Sequence, residues 1–513
     1  MELTGRRKWL PLVTVCLGSF MLLVDVTIVN VALPDMARDL KTSFGSLQWV
    51  VDAYALALAS LVLGMGSIAD QFGHRRAYVV GLILFALSSL VCGVSPNAAA
   101  LITARAIQGI GGALMFATTA ALLNSNYSGR DRGTAYGLWG AVLSASAAVG
   151  PIVGGVLTEL LSWRWIFFVN LPVSVVAVAL CVLGLADVHA PVKGRIDFAG
   201  MAAFTATAGS LTYGLIRANE DGWSGVGTWG WLVATPFLLG VFLLVESRAS
   251  RPMIDLSLLR NRFFGGVLFA GVMLSFAAFG SYTYVSIWLQ SVLGMSPIEA
   301  GLTGLPVSIS SFFVAAGIGK VLHRVKPGPV IGGGLLLIGL GGVVGGLLLH
   351  GSATWPELIP GFTLIGVGVG LMNPMLNSAA MGAVPPQRGG MAGGALNTGR
   401  QLGLALGIAA LGSVFAARAA HVLQGRGVPG ADAVSRAVAG GQAPILLQRV
   451  PAATRAAMNS DFHAAGVAGI QWTMLVSGLA GVAAALLVLV LLRPGRAARA
   501  SAAEAPVEAA AAH

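Results

Sequence analysis

Long apolar runs separated by short polar stretches follow one another along almost the whole chain. A run needs roughly 20 apolar residues to cross a bilayer as a helix. Glycine and proline inside these runs do not exclude helices, because neighbouring helices in lipid satisfy the backbone groups that they free. The pattern predicts an all-α integral membrane protein with fourteen spans, at 9–33, 47–67, 77–95, 99–122, 134–157, 165–186, 197–216, 229–247, 264–290, 298–320, 329–349, 357–377, 391–417 and 467–492.

The composition supports the membrane prediction. Hydrophobic residues make up 56% of the 513 residues and charged residues only 10%, whereas about a quarter of a soluble domain is charged. This excludes a set of water-soluble domains and a disordered chain. The net charge is +11, but the basic residues do not form a continuous basic stripe, so no nucleic-acid partner is expected. Cys16, Cys92 and Cys181 lie in apolar runs without metal-ligand spacing, so neither a metal nor a cofactor is expected.

The positions of the basic residues predict the orientation in the membrane. The first apolar run follows Arg6, Arg7 and Lys8, contains Asp25 and lacks a cleavage site, so it is interpreted as a permanent span. With the N-terminus inside, most of the 31 lysines and arginines fall at inner ends and loops. The positive-inside rule then places both termini in the cytoplasm.

A weak repeat relates spans 1–6 to spans 9–14. Leu40 before the second span corresponds to Leu293 before the tenth, and Arg132 before the fifth corresponds to Arg388 before the thirteenth. Parallel repeats of this kind place a substrate near the midplane between two halves. The predicted division is a six-helix half over 1–186, two inserted helices with linkers over 187–262, a second six-helix half over 263–492 with a long extracellular loop at 418–466, and a cytoplasmic tail over 493–513.

Five segments carry a family resemblance. Residues 66–76 read GSIADQFGHRR, residues 101–113 LITARAIQGIGGA and residues 150–155 GPIVGG; residues 23–34 and 163–172 add a first-helix and a sixth-helix signature. In order and position they resemble the major facilitator superfamily, and within it the fourteen-helix drug:proton antiporters, which include antibiotic and multidrug exporters. In the loop signature, Gln71 and His74 stand where arginines are usual.

The resemblance implies a function as well as a fold. It implies a major facilitator fold in the cell membrane and proton-coupled export of hydrophobic small molecules by a monomer that is not an enzyme. Its partners are then the small-molecule substrate, protons and the lipid bilayer. No GxxxxGK[ST] phosphate loop is present, so an ATP-driven pump is not expected. An uptake symporter for a metabolite and a membrane sensor without transport remain as alternatives.

Three charged residues are candidates for proton coupling. Asp25 lies roughly 24 Å from the inner face and Arg105 roughly 9 Å below the outer face, so both lie at similar depth. Ionisable residues inside a membrane are functional candidates because burying them is costly. Asp25 is interpreted as the proton carrier or as part of a structural ion pair. Arg105 tunes Asp25 or fixes helix contacts, and Asp52 is a second proton site or a wetted carboxylate at a helix start.

Two further groups are candidates for conformational roles. Through the resemblance, Gly66, Asp70, Gly73 and Arg75 form a latch in which an acid meets a helix N-terminus at the inner face, where a carboxylate is stabilised. The resemblance also implies that the antiporter motif seals the two halves together, and a generic kink is the alternative. The antiporter-motif residues are Gly150, Pro151, Gly154 and Gly155.

Polar residues inside the spans are candidates for the substrate cavity. Arg400 lies roughly 15 Å into its span, near the midplane, and is interpreted as a cationic cavity wall or as a link between helices. The charges well inside the spans are those of Asp25, Asp52, Arg105 and Arg400, which sum to zero, and this favours neutral or anionic lipophilic substrates. The cavity candidates are Asn30, Gln108, Asn397, Arg400 and Gln401.

Overall fold

The protein is described from a computed structural model that is helical throughout its described part and contains no strand there. The prediction of an all-α protein is confirmed. The predicted tail, 493–513, and the linker residues 186–196 lie outside the described residues. The structure describes residues 8–42, 44–185, 197–220, 225–249, 252, 254, 256–319, 321–322, 324–351, 353–385 and 388–492.

Fourteen long helical segments in the described residues overlap the predicted spans in order. We number them α1 to α14. Several contain short irregular turns, and α9 includes π-helical turns at Ser275–Gly280 and Trp288–Val292. The helices are α1 Leu10–Asp39, α2 Phe44–Phe72, α3 His74–Gly93, α4 Ala98–Asn126, α5 Gly129–Leu160, α6 Trp165–Gly184, α7 Phe198–Glu220, α8 Val226–Arg248, α9 Arg262–Val292, α10 Ile298–Gly319, α11 Pro327–Leu348, α12 Trp355–Gly382, α13 Gly389–Gly425 and α14 Ala452–Leu491.

Within the described residues, twelve of these helices are long and apolar enough to cross a membrane. The other two, α5 and α7, are rich in glycine, alanine, serine and threonine. Such small residues favour close packing between membrane helices but lower the mean hydropathy. A multi-pass membrane protein is therefore clear, while membrane crossing by α5 and α7 stays a prediction.

The segment 418–466, predicted as a long extracellular loop, is largely helical in the structure, and its place outside the membrane stays a prediction. Helix α13 continues to Gly425 and α14 begins at Ala452, and two short helices, Ala431–Ala439 and Ala443–Arg449, lie between them. The helix extensions are held together by an ion pair of 2.9 Å between Arg426 Nη1 and Asp461 Oδ1. Polar helix extensions have the hydropathy of a loop, so the apolar pattern could not reveal them.

Two corresponding helix pairs make the most extensive contacts between the two sets of six helices. Helix α5 packs against α10, and α2 packs against α13. The repeat relates α5 to α13 and α2 to α10. A two-fold rotation between the halves therefore converts the α5–α10 pair into the α2–α13 pair. At α5–α10 the backbones are so close that a Cβ on Gly133 would lie 2.4 Å from the carbonyl oxygen of Gly319. Small residues therefore bring the halves together.

The two inserted helices lie beside the α2–α13 contact. Helix α7 packs against α2, α13 and α8. Helix α8 has large exposed side chains that include Trp229, Val233 and Phe237. In a membrane protein an apolar exposed face of this kind is suited to lipid. The pair therefore lies at the edge of the helix bundle, with α7 on the inside and α8 on the outside.

Candidate functional site

The centre of the site is a buried ion pair between α1 and α4. Asp25 and Arg105 are both fully buried, and Asp25 Oδ2 lies 2.5 Å from Arg105 Nη1. The two residues were predicted to lie at similar depth, and the structure brings them into direct contact. Because a charge in a membrane needs a partner, each residue accounts for the burial of the other.

Amide side chains complete the surroundings of Asp25. Gln108 Nε2 donates to Asp25 Oδ1 at 3.1 Å, and Asn170 Nδ2, from α6, donates to the same oxygen at 3.0 Å. Both amides also contact Ser89 Oγ, at 2.7 and 3.4 Å. Gln108 was predicted to line the substrate cavity, but the structure places it in this ion-pair cluster. Hydrogen bonds to a carboxylate stabilise its charged form.

Asn170 and Ser89 were not among the predicted site residues. Both are polar residues inside apolar spans, and Asn170 lies two positions before Pro172 in a segment that carried the family resemblance. That was the available signal. The sequence alone did not reveal that α4 and α6 both direct an amide group to one carboxylate of α1, or that a hydroxyl group of α3 contacts both amides.

Aromatic rings and a carbonyl group enclose the guanidinium of Arg105. Its Cζ lies 4.3 Å from the ring centre of Tyr54 and 5.9 Å from that of Phe167. Its Nε donates to the carbonyl oxygen of Val50 at 2.9 Å. Aromatic faces attract a cation and exclude water. The ion pair is therefore closed off from both sides of the membrane in this state.

The remaining proton candidate has a different environment. Asp52 lies on α2, two residues before Tyr54, and is partly exposed rather than buried. It is not one of the groups that hydrogen-bond to Asp25. The backbones of Asn30 and Pro151 are helical, but their side chains lie outside the described part of the structure.

Asp70, near the C-terminal end of α2, caps the first turn of α13. Its two carboxylate oxygens accept hydrogen bonds from the backbone N–H groups of Gly390, at 2.7 Å, and Met391, at 2.8 Å. His74 Nε2 lies 2.7 Å from Asp70 Oδ1. A Cβ on Gly66 would lie 2.3 Å from the carbonyl oxygen of Gly390, so only glycine fits here. The two halves are thus in contact at the C-terminal end of α2.

Two other members of the predicted latch have local roles. Gly73 has φ 93°, a conformation that favours glycine, and it separates α2 from α3. Arg75 donates through Nη2 to the carbonyl oxygen of Val182 at 2.8 Å, near the end of α6. A cation is favourable at a helix C-terminus. In this structure Arg75 contacts α6 of its own half, and its part in the latch stays a prediction; His74, which lies beside Asp70, was not among the predicted latch residues.

The antiporter motif mostly contacts α1 rather than the other half. A Cβ on Gly150 would lie 1.8 Å from Thr27 Oγ1, and one on Gly154 would lie 2.8 Å from Ile28 Cγ1. Only Gly155, among these three glycines, faces the other half, at Ile298. In this structure Gly150 and Gly154 lie against α1, and the seal between the halves stays a prediction. These two glycines instead let α5 pack directly behind the Asp25 segment.

An ion pair ties the outer ends of the N-terminal helices. Arg164 and Trp163 Nε1 both donate to Asp39 Oδ2, the latter at 3.0 Å. The hydrogen bond from Arg164, followed by that from Trp163, holds the pKa of Asp39 below its usual range. The guanidinium of Arg164 also lies 4.4 Å from the Trp163 ring centre. These contacts fasten the α5–α6 turn to the end of α1.

Arg400 lies in a second buried polar group. Its Nη2 donates to Asn373 Oδ1 on α12 at 3.1 Å, and its side chain is buried. Asn397 Nδ2 donates to the carbonyl oxygen of Phe116 on α4 at 3.1 Å, so it bridges the two halves. Gln401 is partly buried. Asn373 was missed, although an asparagine before Pro374 in an apolar span was a visible signal.

Comparisons with known proteins agree with the motifs and the fold. Residues 15–408 match the Major Facilitator Superfamily. The chain is similar to the puromycin resistance protein pur8 of Streptomyces alboniger, with 34% identity over 444 residues, which are 85% of this chain and 87% of the relative. It is also similar to the tetracenomycin C resistance and export protein of Streptomyces glaucescens, with 30% identity over 504 residues, 94% of this chain and 91% of the relative.

A third relative and a solved structure extend the comparison. The multidrug resistance protein Stp of Mycobacterium tuberculosis is 34% identical over 414 residues, 80% of this chain and 77% of the relative. The crystal structure of the human organic anion transporter MFSD10 (TETRAN) superposes with a TM-score of 0.62 and 16% identity, covering 96% of this chain and 100% of the other. At that identity the likeness concerns the fold alone. The chain therefore belongs to the Major Facilitator Superfamily, as its motifs predicted.

Proposed function

We propose that this protein is a proton-coupled efflux antiporter of the cell membrane that exports hydrophobic small molecules, antibiotics among them, by alternating access. The observation that carries the proposal is Asp25, a fully buried carboxylate in the first span held by Arg105, Gln108 and Asn170. A carboxylate that is charged in one state and neutral in another carries a proton across the barrier.

Proton binding at Asp25 changes what holds α1 to α4. With Asp25 ionised, Arg105 has its counter-charge 2.5 Å away. Protonation removes that counter-charge and leaves a buried guanidinium with neutral partners, which is unfavourable. The two helices then separate or rearrange until the guanidinium meets water or another acceptor. The proton thereby drives a change of helix packing rather than only a local hydrogen-bond exchange.

The state described here is closed at the inner end of α2. Asp70 holds the start of α13, and backbones meet at Gly66 and Gly390 and again at Gly133 and Gly319. A substrate from the cytoplasm enters only after these contacts break. Asp70 and Gly66 are therefore proposed to form the inner gate, and Asp25 is proposed to be loaded with a proton from outside.

Export rather than uptake is supported by the relatives. The proteins from Streptomyces alboniger and Streptomyces glaucescens are named for resistance to puromycin and for resistance to and export of tetracenomycin C. We extend to this chain the general function, small-molecule efflux, and not either compound. The functional unit is proposed to be a monomer with both termini in the cytoplasm.

A susceptibility panel in an efflux-deficient bacterial host tests the direction of transport. Cells that express the wild-type protein should tolerate higher concentrations of several lipophilic antibiotics than cells that express Asp25→Asn at the same membrane level. Dye loading measured beside the panel gives the direction directly. Greater dye accumulation in wild-type cells than in empty cells would point to an uptake symporter and defeat the export proposal.

A further inference from the structure

Arg400 is a buried charge without a counter-charge. The other deeply buried arginine, Arg105, is neutralised by Asp25, whereas the hydrogen-bond partner of Arg400 is the neutral amide oxygen of Asn373 at 3.1 Å. Among the residues that the structure describes, no carboxylate lies within ion-pair distance of Arg400. A guanidinium stays protonated in proteins. Within the described part of the second half, the positive charge of Arg400 is therefore uncompensated.

Several polar atoms around this charge also lack partners. Arg400 Nε, Asn397 Oδ1 and Asn377 Oδ1 are buried and make no hydrogen bond in the described structure. The Asn377 amide nitrogen donates along its own helix to the carbonyl oxygen of Asn373 at 2.8 Å. Burying a polar atom without a hydrogen-bond partner is unfavourable. We call Asn373, Asn377, Asn397 and Arg400 the Arg400 cluster. Three of its polar atoms have no hydrogen-bond partner among the described residues.

The Arg400 cluster lies where the two halves meet. Asn397 donates to Phe116 of α4 in the first half. A Cβ on Gly140 of α5, also in the first half, would lie 3.8 Å from Asn373 Cβ. Alternating access separates these surfaces in turn. The cluster is therefore buried in this state and becomes accessible when the halves part.

Depth separates the cluster from the lipid headgroups. Arg400 is eleven residues from Gly389, where α13 begins at the inner side, which is roughly 16 Å along the helix. The hydrocarbon core is about 30 Å thick, so Arg400 lies near its middle. A phospholipid phosphate does not normally reach this depth. The ligand that meets Arg400 is then a small molecule held between the halves.

We infer that the Arg400 cluster binds a small organic anion, such as the carboxylate, sulfonate or ionised phenol of an otherwise apolar aromatic molecule. Arg400 supplies the counter-charge, and the planar fork of its N–H groups suits a pair of anionic oxygens. The unpaired asparagine oxygens accept from hydroxyl groups of the same molecule. The conclusion that such anions are transported substrates rests on the proposed export function. The conclusion that the Arg400 cluster binds them does not.

Binding of two dyes of opposite charge to the purified protein tests the inference. Fluorescein is an anion at mildly alkaline pH, and the methyl ester of rhodamine is a cation with the same xanthene ring. Fluorescence anisotropy gives the affinity of each dye in detergent. The wild-type protein should bind fluorescein more tightly than the rhodamine ester. Equal affinities, or no binding of fluorescein, would overturn the inference.

Three variants separate a ligand-binding role from a structural one. Arg400→Gln should weaken fluorescein binding by about tenfold or more, since hydrogen bonds to charged groups contribute about 1.5–3 kcal/mol, and should leave the rhodamine ester unaffected or bound more tightly. Asn373→Asp keeps Arg400 and gives it an internal counter-charge, so it should also weaken fluorescein binding. Arg418→Gln removes a cation from the outer part of the same helix, where Arg418 lies 3.7 Å from the Trp472 ring centre, and should change neither affinity.

The outcomes distinguish this inference from the proposed function. Equal loss of both dyes in Arg400→Gln at normal protein yield, or unchanged fluorescein binding in Asn373→Asp, would assign Arg400 to helix contacts and reject the anion site. If fluorescein binds as expected but a pH gradient fails to drive its transport, the site stands and the antiporter proposal fails.

Discussion

At the scale of single residues, hydrogen-bond donors surround the buried carboxylate of Asp25. Asp25 accepts hydrogen bonds from Arg105, Gln108 and Asn170, which come from two other helices. Burying a carboxylate without such partners is unfavourable. The three donors therefore account for the burial of Asp25 and fix its carboxylate between α1, α4 and α6.

The role of Asn170 can be tested through gradient-driven transport. Asn170→Ala removes the hydrogen bond from α6 to the Asp25 carboxylate, so only α4 still donates to it. Hydrogen bonds to charged groups contribute about 1.5–3 kcal/mol, and we expect gradient-driven efflux of a dye to fall severalfold. Efflux from vesicles under an imposed pH gradient measures the rate.

Ser174→Ala is the matched control for Asn170→Ala. Ser174 lies one turn further along α6, is also buried, and contacts Met21 Sδ at 3.3 Å instead of Asp25. Its efflux rate should match that of the wild type. A wild-type efflux rate in Asn170→Ala would show that Asn170 has a packing role only.

Counting residues along the spans predicted that Asp25 and Arg105 lie at the same depth, but it could not predict their partners. Depth follows from the rise per residue of a helix, whereas contact depends on which face each helix turns toward its neighbours. This is why Gln108 was assigned to the cavity and Asn170 was overlooked. When a helix is apolar on all sides, its sequence does not show which face contacts a neighbouring helix.

At the scale of helices, the inner closure depends on one carboxylate and a few glycines. Asp70 supplies charge to the N-terminus of α13, where the helix dipole favours an anion. Gly66 and Gly390 let the backbones touch. The contact is small, so it can break and re-form during a transport cycle.

Replacing Asp70 should change the cycle and not the affinity for substrate. Asp70→Asn keeps the size of the side chain but removes the charge at the helix N-terminus, a contribution of up to about 2 kcal/mol in partly buried settings. We expect turnover to fall severalfold with unchanged binding of a transported dye. Transport and binding measured on the same protein preparation give both quantities.

Asp131→Asn provides the control at the same membrane face. Asp131 forms a 2.6 Å ion pair with Lys8, and both side chains are about two-fifths exposed, at 41% and 40%. An exposed ion pair contributes little to stability, so turnover should stay at the wild-type level. Weaker binding with normal turnover in Asp70→Asn would contradict the gating role.

The order and type of the helices followed from the sequence, while their ends and irregularities did not. Apolar runs marked each of α1 to α14. The polar extensions of α13 and α14 and the helix Ala431–Ala439 were hidden because they lie outside the apolar runs. The π turns in α9 depend on packing, for example where Gly280 meets Gly407 of α13, with 2.9 Å between a Cβ on Gly280 and Gly407 Cα.

At the scale of the whole molecule, the two inserted helices differ in what they contact. Helix α7 touches α2 and α13, one from each half, whereas α8 packs mainly on α7. Cysteines introduced at exposed α8 positions such as Val233 and Phe237 should react with a thiol reagent at the same rate with and without substrate. Protection by substrate would place α8 in the transport path.

A cysteine at Gly140 supplies the comparison for the α8 probes. Gly140 lies on α5 beside Asn373, at the junction of the halves. Substrate should slow its modification if the transport path runs between the halves. Equal behaviour of the Gly140 and α8 probes would contradict the placement of the path.

The central claim is that a proton on Asp25 drives export, and transport in proteoliposomes tests it most directly. Purified wild-type protein and Asp25→Asn are reconstituted at equal density, with the compound that shows the largest resistance in the susceptibility panel as substrate. An imposed pH gradient should drive accumulation by the wild type. Asp25→Asn should accumulate nothing, yet should still exchange labelled for unlabelled substrate without a gradient. Accumulation by Asp25→Asn at the wild-type rate would contradict the account.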